Sequence, residues 1–306
     1  MTWEVFLTQM LNGVQLGLLL FLLSAGLTLV FGIMSFVNLA HGSLYMMGAY
    51  FAAAVFGWTG SFLAAALVAV PATMVLGLLI ERLILYRLYD RDHLDQVLVT
   101  FGLILFFNEL VRIIWGPSSV YMNAPKALMG TVNLFGLPYA SYRFAIIAIG
   151  LLVAAGLYLL IHRTRIGMLI RAGASNASMI GALGVNIKLL NTLVFGFGAA
   201  LAGLAGLMAG PILSVQSGMG EPILILTLVV IVTGGIGSIR GALYGALIVG
   251  IVDTVGRAFL PLLLREVFER SVAQAAGPAI ASILIYLFMA VVLAIRPQGL
   301  FPVKHG

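Results

Sequence analysis

The stretch at positions 36–48 reads FVNLAHGSLYMMG, and it interrupts an apolar run that extends from 13 to 55. Four of its residues, Asn38, His41, Gly42 and Ser43, lie within six positions. Backbone that is not helical survives at membrane depth only where protein or a water-filled cavity satisfies its N–H and C=O groups. The stretch therefore predicts a broken helix inside a membrane protein rather than a simple span.

The composition of the chain excludes a water-soluble domain. Of its 306 residues, 62% are hydrophobic and 8% are charged, whereas soluble domains carry about 25% charged residues. We therefore expect an all-α polytopic membrane protein in which one transmembrane domain occupies 1–306. The chain has no cysteine, so it has neither disulfides nor thiolate metal ligands. Its net charge of +6 is spread over several loops, which predicts the lipid bilayer and not nucleic acid as a partner.

Apolar segments of about 20 residues, the length needed to cross a bilayer, recur along the chain. The candidate segments are 11–34, 42–58, 61–81, 96–115, 143–161, 190–213, 223–236, 241–260 and 277–295. Glycine or proline separates several neighbouring segments, so the number of helices depends on how these pairs are divided. The sequence predicts about eight to ten transmembrane helices.

The basic residues predict which side of the membrane each loop occupies. When the spans alternate across the membrane, three polar regions lie on the same side, namely 81–95, 162–188 and the tail after Leu293. Together these regions carry nine Lys or Arg residues. By the positive-inside rule that side is the cytoplasm. The other side receives an outer loop at 116–142 and a short loop at 214–222. We therefore expect an outside N-terminus, which lacks the charge pattern of a cleaved signal, and a cytoplasmic C-terminus.

A short repeat predicts a second broken segment. The sequence HGSLY at 41–45 recurs as RGALY at 240–244, and each copy follows an interrupted apolar segment. In transporters built from repeats, such interruptions in corresponding halves mark the translocation pathway. We therefore predict an internal pseudo-repeat with two broken or re-entrant segments, either parallel or inverted. The predicted pathway residues are Asn38, His41, Gly42, Ser43, Gly234, Gly235, Ser238 and Gly241.

Other roles for the same residues stay open. Asn38 or Ser43 would cap a helix start, because their side chains accept hydrogen bonds from free N–H groups. His41 would contact substrate, cap a helix or face lipid headgroups. The glycines of 234–241 would simply let helices pack closely.

The polar segment 162–188 has the pattern of an amphipathic helix outside the membrane. Apolar and polar residues alternate at helical spacing from Ile170 to Gly181, and Gly184 is placed to end the helix. The segment would either rest on the headgroups as an ordinary basic loop or fit a groove on a cytoplasmic partner.

The chain resembles the permease family of ABC importers for branched-chain amino acids, in particular the first permease subunit of the high-affinity leucine, isoleucine and valine type. The resemblance extends over essentially the full length. The matching segments are GLTLVFGIMSFVNLAHGSLYMMGAY (26–50), RAGASNASMIGALGVN (171–186), FGFGAALAGLAGLMAGP (195–211), GGIGSIRGALYGALIVG (234–250) and RPQGLF (296–301).

This resemblance implies a bacterial inner-membrane complex. Its expected partners are a second related permease subunit, two cytoplasmic ATP-binding subunits and an extracytoplasmic substrate-binding protein. The expected substrates are branched-chain or other apolar amino acids, with urea or short amides as the alternative. The resemblance also implies that the cytoplasmic segment touches the ATPase. The expected ATPase-coupling residues are Arg163, Arg165, Gly167, Arg171, Ala172, Asn176, Ala182, Leu183 and Gly184.

Chemistry within this chain is not expected. The phosphate-binding pattern G-x-x-x-x-G-K-[ST] is absent from the sequence, and the four histidines are scattered. We therefore expect a transport subunit that is not an enzyme and has no metal or cofactor of its own, with ATP and magnesium bound by the partner ATPases. An ion-coupled secondary carrier, the less favoured alternative, needs ionisable residues within its spans. Asp253 and Arg257 are such residues, and they would form a structural pair or line the pathway.

Overall fold

The structure of the protein, a computed structural model, describes residues 3–34, 36, 38–89, 91–134 and 136–302. The helices are α1 (Trp3–Met34), α2 (His41–Thr59), α3 (Phe62–Leu83), α4 (His93–Trp115), α5 (Ser141–Arg163), α6 (Arg165–Ala182), α7 (Ile187–Ala209), α8 (Gly220–Gly234), α9 (Ile239–Leu264) and α10 (Arg270–Ile295). Short 3₁₀ helices occupy Leu85–Leu88 and Lys126–Leu128. Strands β1 (Thr131–Leu134) and β2 (Leu137–Ala140) form an antiparallel hairpin between α4 and α5.

The predicted all-α architecture is confirmed. Within the described residues, seven helices are long and apolar enough to cross a bilayer, namely α1, α3, α4, α5, α7, α9 and α10. Helix α2, with 19 residues, and the shorter apolar helix α8 begin inside the assembly and are counted separately from these seven spans. Each candidate segment overlaps one of these helices. With 15 residues, α8 is shorter than the roughly 20 residues that a full span requires.

Side-chain caps fix several helix starts. The hydroxyl oxygen of Ser61 accepts a hydrogen bond from the Ala64 N–H at 3.3 Å, and the Asn186 Oδ1 atom accepts one from the Leu189 N–H at 3.0 Å. Each cap satisfies one of the N–H groups that the first turn of a helix leaves unpaired. Gly60, with φ of 64°, ends α2 in the left-handed conformation that glycine adopts without strain.

Helices α1 and α7 form the buried centre of the protein, and the remaining helices surround them. Glycines let these helices approach. A Cβ atom on Gly26 of α1 would lie 2.7 Å from the carbonyl oxygen of Gly198 in α7, and one on Gly17 would lie 2.8 Å from that of Ala246 in α9. Association through small residues is typical of membrane helices, which gain little from hydrophobic burial against one another.

The two ends of the helical assembly can be told apart by their contacts. At one end, here named the α6 end, a Cβ on Gly173 of α6 would contact Ile33 and Leu190, and one on Gly32 would lie 3.5 Å from Gly237. At the opposite end, here named the hairpin end, the Tyr139 hydroxyl donates a 3.2 Å hydrogen bond to Asn12 of α1. Each long helix runs from one end to the other.

The contacts also establish an inverted internal repeat. Helices α1 to α4 run alternately towards and away from the α6 end, and α7 to α10 follow the same order in the opposite directions. Helix α2 therefore corresponds to α8. The predicted pseudo-repeat is present, but the sequences HGSLY and RGALY begin α2 and α9, which both run towards the hairpin end. These two sequences are consequently not equivalent positions of the repeat.

Candidate functional site

The central feature of the site is a contact between the starts of α2 and α8. A Cβ on Gly42 would lie 2.5 Å from the carbonyl oxygen of Gly220, and a Cβ on Gly220 would collide with the carbonyl group of Gly42. Helix α2 leaves this junction towards the hairpin end and α8 leaves it towards the α6 end. The positive ends of two helix dipoles thus meet inside the protein.

The junction lies well inside the assembly. The Nε2 atom of His41 is 3.2 Å from the carbonyl oxygen of Leu23, which precedes the end of α1 at Met34 by about 16 Å at a rise of about 1.5 Å per residue. The chain therefore leaves α1 at the α6 end and returns to this depth before α2 begins. This return is the broken segment that the sequence predicts.

The returning segment is held by a few contacts among its described residues. The Asn38 Oδ1 atom accepts a 3.0 Å hydrogen bond from the Ala40 N–H, and the Phe36 ring packs edge-on against Tyr89 with 5.7 Å between ring centroids. Asn38 and Ser43 are both buried. The residue that precedes α2 is Ala40, and no side chain caps this helix. The alternative in which Asn38 or Ser43 caps α2 is therefore not supported.

His41 is completely buried, which excludes the alternative that it faces headgroups. Its Nε2 atom faces the Leu23 carbonyl, and its Nδ1 atom has no hydrogen-bond partner in the described part of the chain. A role in contacting substrate stays a prediction.

The second predicted pathway set lies elsewhere. Gly234, Gly235, Ser238 and Gly241 form the tight turn between α8 and α9 at the α6 end. The Ser238 hydroxyl accepts a 3.1 Å hydrogen bond from the Gly241 N–H, and the backbones of Gly234 and Gly241 touch. The tail covers this turn, since the Phe301 N–H donates a 2.9 Å hydrogen bond to the Gly234 carbonyl. The structure does not bring the two predicted sets together.

The segment that does meet α2 was predicted only as a short outer loop at 214–222, and its contact with α2 was not predicted. Residues 210–219 connect α7 to α8, and there the Gly218 N–H donates a 3.1 Å hydrogen bond to the Asn108 side chain of α4. The Ser217 hydroxyl donates to the Asn108 carbonyl at 3.1 Å, and the Asn108 amide donates to Glu221. The sequence PILSVQSGMG at 211–220 carried the signal, because its Ser, Gln, Gly and Pro residues interrupt an apolar run as FVNLAHG does.

The polar segment 162–188 forms α6, as its amphipathic pattern predicts. The Thr164 hydroxyl accepts a 3.1 Å hydrogen bond from the Gly167 N–H at the helix start, and Gly184 follows the helix with φ of 91°. The helix is kinked at Asn176, whose Oδ1 atom accepts a 2.9 Å hydrogen bond from the Met179 N–H and thereby starts the second part. No local pattern in the sequence predicts this kink.

The predicted coupling residues fall into two groups. Gly167 is buried against the α5 carbonyl groups of Leu160 and Ile161, where a Cβ would collide with them. It therefore positions α6 and does not present a surface. The exposed group consists of Arg163, Arg165, Arg171, Asn176, Ala182, Leu183 and Gly184, with Ala172 half-buried.

Asp253 and Arg257 form an ion pair one turn apart on α9, and Arg257 also contacts α10. The Arg257 Nε atom donates to the Asp253 Oδ1 atom at 2.7 Å, and its Nη2 atom donates to the Ser282 hydroxyl of α10 at 3.0 Å. The Ser282 hydroxyl in turn donates to the Pro278 carbonyl at 3.1 Å. These bonds tie two neighbouring helices together, which favours the structural role over a pathway role.

A glutamate near the α6 end is buried, although the sequence places it at the border of a basic loop. Glu81 of α3 is completely buried, and its Oε1 atom accepts a 2.7 Å hydrogen bond from the Tyr89 hydroxyl. Burial raises the pKa of Tyr89, and the hydrogen bond to Glu81 raises it further. The phenol therefore stays protonated and can donate to Glu81 at neutral pH. A single Glu at the edge of a basic loop gave no signal of this burial.

A profile of the family described as branched-chain amino acid transport system / permease component matches residues 9–293. The chain belongs to this family. It is 29% identical to the high-affinity branched-chain amino acid transport system permease protein BraD of Pseudomonas aeruginosa, over 96% of this chain and 95% of that protein. It is 30% identical to LivH of Escherichia coli K12, over 86% of this chain and 89% of that protein.

A solved structure shares the fold at low sequence identity. It is described as an inward-facing conformation of a metal-chelate type ABC transporter, and the likeness has a TM-score of 0.51 at 17% identity. The match covers 94% of this chain and 85% of that chain. This permease, with its seven long apolar helices, is an integral membrane protein.

Proposed function

We propose that this permease is the membrane-spanning subunit of a bacterial inner-membrane ABC importer for branched-chain or other apolar amino acids. The observation that carries the proposal is the family match over 9–293, which includes both halves of the inverted repeat. The relatives BraD and LivH are named as branched-chain amino acid permeases, and they align with most of this chain. The chain itself carries out no catalysis in this proposal.

The proposed mechanism assigns the energy to partner subunits. Two cytoplasmic ATP-binding subunits bind ATP and magnesium, and their closure moves α6. A second, related permease subunit completes the pathway, and an extracytoplasmic binding protein delivers the substrate. The end of α6 supports this role, because Met179 and Leu183 are both exposed there and lie one helical turn apart, and neighbouring exposed apolar side chains mark interaction surfaces.

The junction of α2 and α8 supports a place on the pathway. Two partial helices of opposite direction begin there, and in transporters of other folds such helix starts lie at substrate sites. Asn38 and His41 each contribute a buried polar nitrogen to this region that has no partner in the described chain. Movement of α8 relative to α2 would open the junction towards one end of the protein and close it towards the other.

The distribution of charge supports a cytoplasmic α6 end. The basic residues of this end that the structure describes are Arg82, Arg87, Arg91, Arg163, Arg165, Arg171, Lys188, Arg240 and Arg296. Lys304, part of the basic tail in the sequence, lies outside the described residues. At the hairpin end, Arg265 and Arg270 are accompanied by Glu266 and Glu269, which leaves little net charge. The positive-inside rule then gives an outside N-terminus and a cytoplasmic C-terminus.

The proposal is tested with the complete transporter in proteoliposomes that contain ATP. We expect uptake of radiolabelled leucine that requires the binding protein and is competed by excess valine and isoleucine. Urea and acetamide should not compete. Uptake of urea without competition by leucine would instead assign the short-amide substrate and contradict the proposal.

A further inference from the structure

A cavity of about 400 Å³ lies at the hairpin end, between α1, the start of α5, residues 210–219 and α9. Its size falls within the range of small-molecule sites. Its lining combines polar and aliphatic side chains. The polar residues of the lining are Gln9, Asn12, Gln15, Arg143 and Thr254. None of these residues was assigned a role from the sequence.

Arg143 is a half-buried cation without a carboxylate partner. Its Nη1 atom donates a 2.7 Å hydrogen bond to the Asn12 Oδ1 atom. Within the described part of the chain, no carboxylate oxygen lies within 4.0 Å of its guanidinium. A guanidinium carries five N–H donors in a fixed geometry that matches a carboxylate. Most of these donors are therefore available to an anionic group in the cavity.

Gln15 adds a second polar group to the cavity. It is 5% exposed, it lines the cavity, and it lies one helical turn from Asn12 on α1. Its amide can donate a hydrogen bond to a carboxylate or accept one from an ammonium group.

The aliphatic part of the lining, here named the aliphatic wall, consists of Leu16, Leu19, Ala209, Ile212 and Leu213. A ligand that satisfies both kinds of lining combines a carboxylate with an aliphatic group. The amide and hydroxyl oxygens of the lining can accept hydrogen bonds from an ammonium group.

We propose that this hairpin-end cavity binds the apolar amino acid on its way to the α2–α8 junction, with Arg143 holding the carboxylate and Leu213 contacting the aliphatic side chain. The inference rests on the proposed function and adds a substrate subsite to it. The position of this cavity at the hairpin end fits a site that the substrate occupies before it reaches the junction. The same 210–219 segment pairs with the outer loop through Val120 and Val215, and it ends at Gly220.

The charge requirement is tested in the complete transporter with Arg143→Gln and Arg143→Lys. Glutamine keeps an N–H donor for Asn12 but removes the charge. We expect leucine uptake to fall roughly tenfold, the loss expected for one charged hydrogen bond, while the binding protein still stimulates ATP hydrolysis. Lysine should retain most of the uptake, and Arg265→Gln, an exposed change at the same end, should have no effect. Equal uptake by wild type and Arg143→Gln would overturn the proposal.

The aliphatic wall is tested by filling it. Leu213 is 50% exposed, so Leu213→Trp should fold while reducing the cavity volume. Leucine uptake should fall several-fold more than alanine uptake, because the smaller side chain needs less space. Leu152→Trp is the matched control, since Leu152 is 71% exposed on α5 and does not line the cavity. If Leu213→Trp and Leu152→Trp behave alike, the cavity is not a substrate site. If wild-type protein takes up neither amino acid, the proposed function itself is wrong.

Discussion

Gly42 and Gly220 touch through their backbones at the point where two helices of opposite direction begin. This contact joins the two halves of the inverted repeat. It explains why small residues are required there, since the space that a methyl group needs is already filled by a neighbouring carbonyl group. The junction is therefore the part of the structure where a small change should have a large effect.

Substitution of either glycine at the junction should destabilise the protein. Gly42→Ala places a Cβ 2.5 Å from the Gly220 carbonyl oxygen, and we expect a loss of about 1–3 kcal/mol in the free energy of unfolding because the helices must separate. Gly57→Ala is the matched control in the same helix. A Cβ there has no neighbour within 4 Å, so the variant should gain up to about 1 kcal/mol from helix propensity. Thermal unfolding in detergent measures both, and equal midpoints for the two variants would refute the close contact.

The sequence predicted the individual helices well because the requirement for a span is local. A run of about 20 apolar residues is sufficient evidence for a helix, and each of the predicted segments overlaps an observed one. Helix α6 could be predicted in the same way, because its alternation of apolar and polar residues and the position of Gly184 are also local features.

The pairing of helices could not be predicted in the same way. Glycine interruptions at 234–241 form a tight turn at the α6 end, whereas similar residues at 36–42 form a break inside the assembly. The sequence does not distinguish these uses, because the difference depends on which distant segment packs against each one. The burial of Glu81 and the contact of His41 with Leu23 are likewise long-range consequences of folding.

Variants of α6 should uncouple ATP hydrolysis from transport. Arg171→Glu reverses a charge, and Ala182→Trp adds bulk, on exposed positions that the proposed ATPase contact uses. We expect leucine uptake to be lost while the complex still hydrolyses ATP. Arg265→Glu, on the hairpin end, should leave both activities unchanged. Normal coupling in Arg171→Glu and Ala182→Trp would show that α6 is not the coupling element.

The pair of Asp253 and Arg257 should contribute to stability and not to energy coupling. Asp253→Ala removes a largely buried carboxylate that accepts a charged hydrogen bond, and we expect a loss of about 1–2 kcal/mol. The exposed pair of Glu109 and Arg112 is the control, because Glu109→Ala should cost well under about 1 kcal/mol. Asp253→Asn should retain uptake. Loss of uptake in a well-folded Asp253→Asn protein would place the carboxylate on the pathway.

The orientation can be measured directly because the natural chain has no cysteine. Ser119→Cys introduces a thiol in the outer loop, and Ser175→Cys introduces one on the exposed surface of α6. In intact cells, a membrane-impermeant maleimide should label the first and leave the second unlabelled until the cells are opened. The reverse labelling pattern would contradict the proposed N-terminus outside and C-terminus in the cytoplasm.

The energy source is the most direct test of the proposed function. Proteoliposomes should contain this permease with its second permease subunit and ATPases, and leucine should be supplied with the binding protein. We predict that uptake requires ATP on the α6 side and continues when a protonophore collapses the proton gradient. Uptake that persists without the ATPase subunits and stops when the proton gradient collapses would contradict the account.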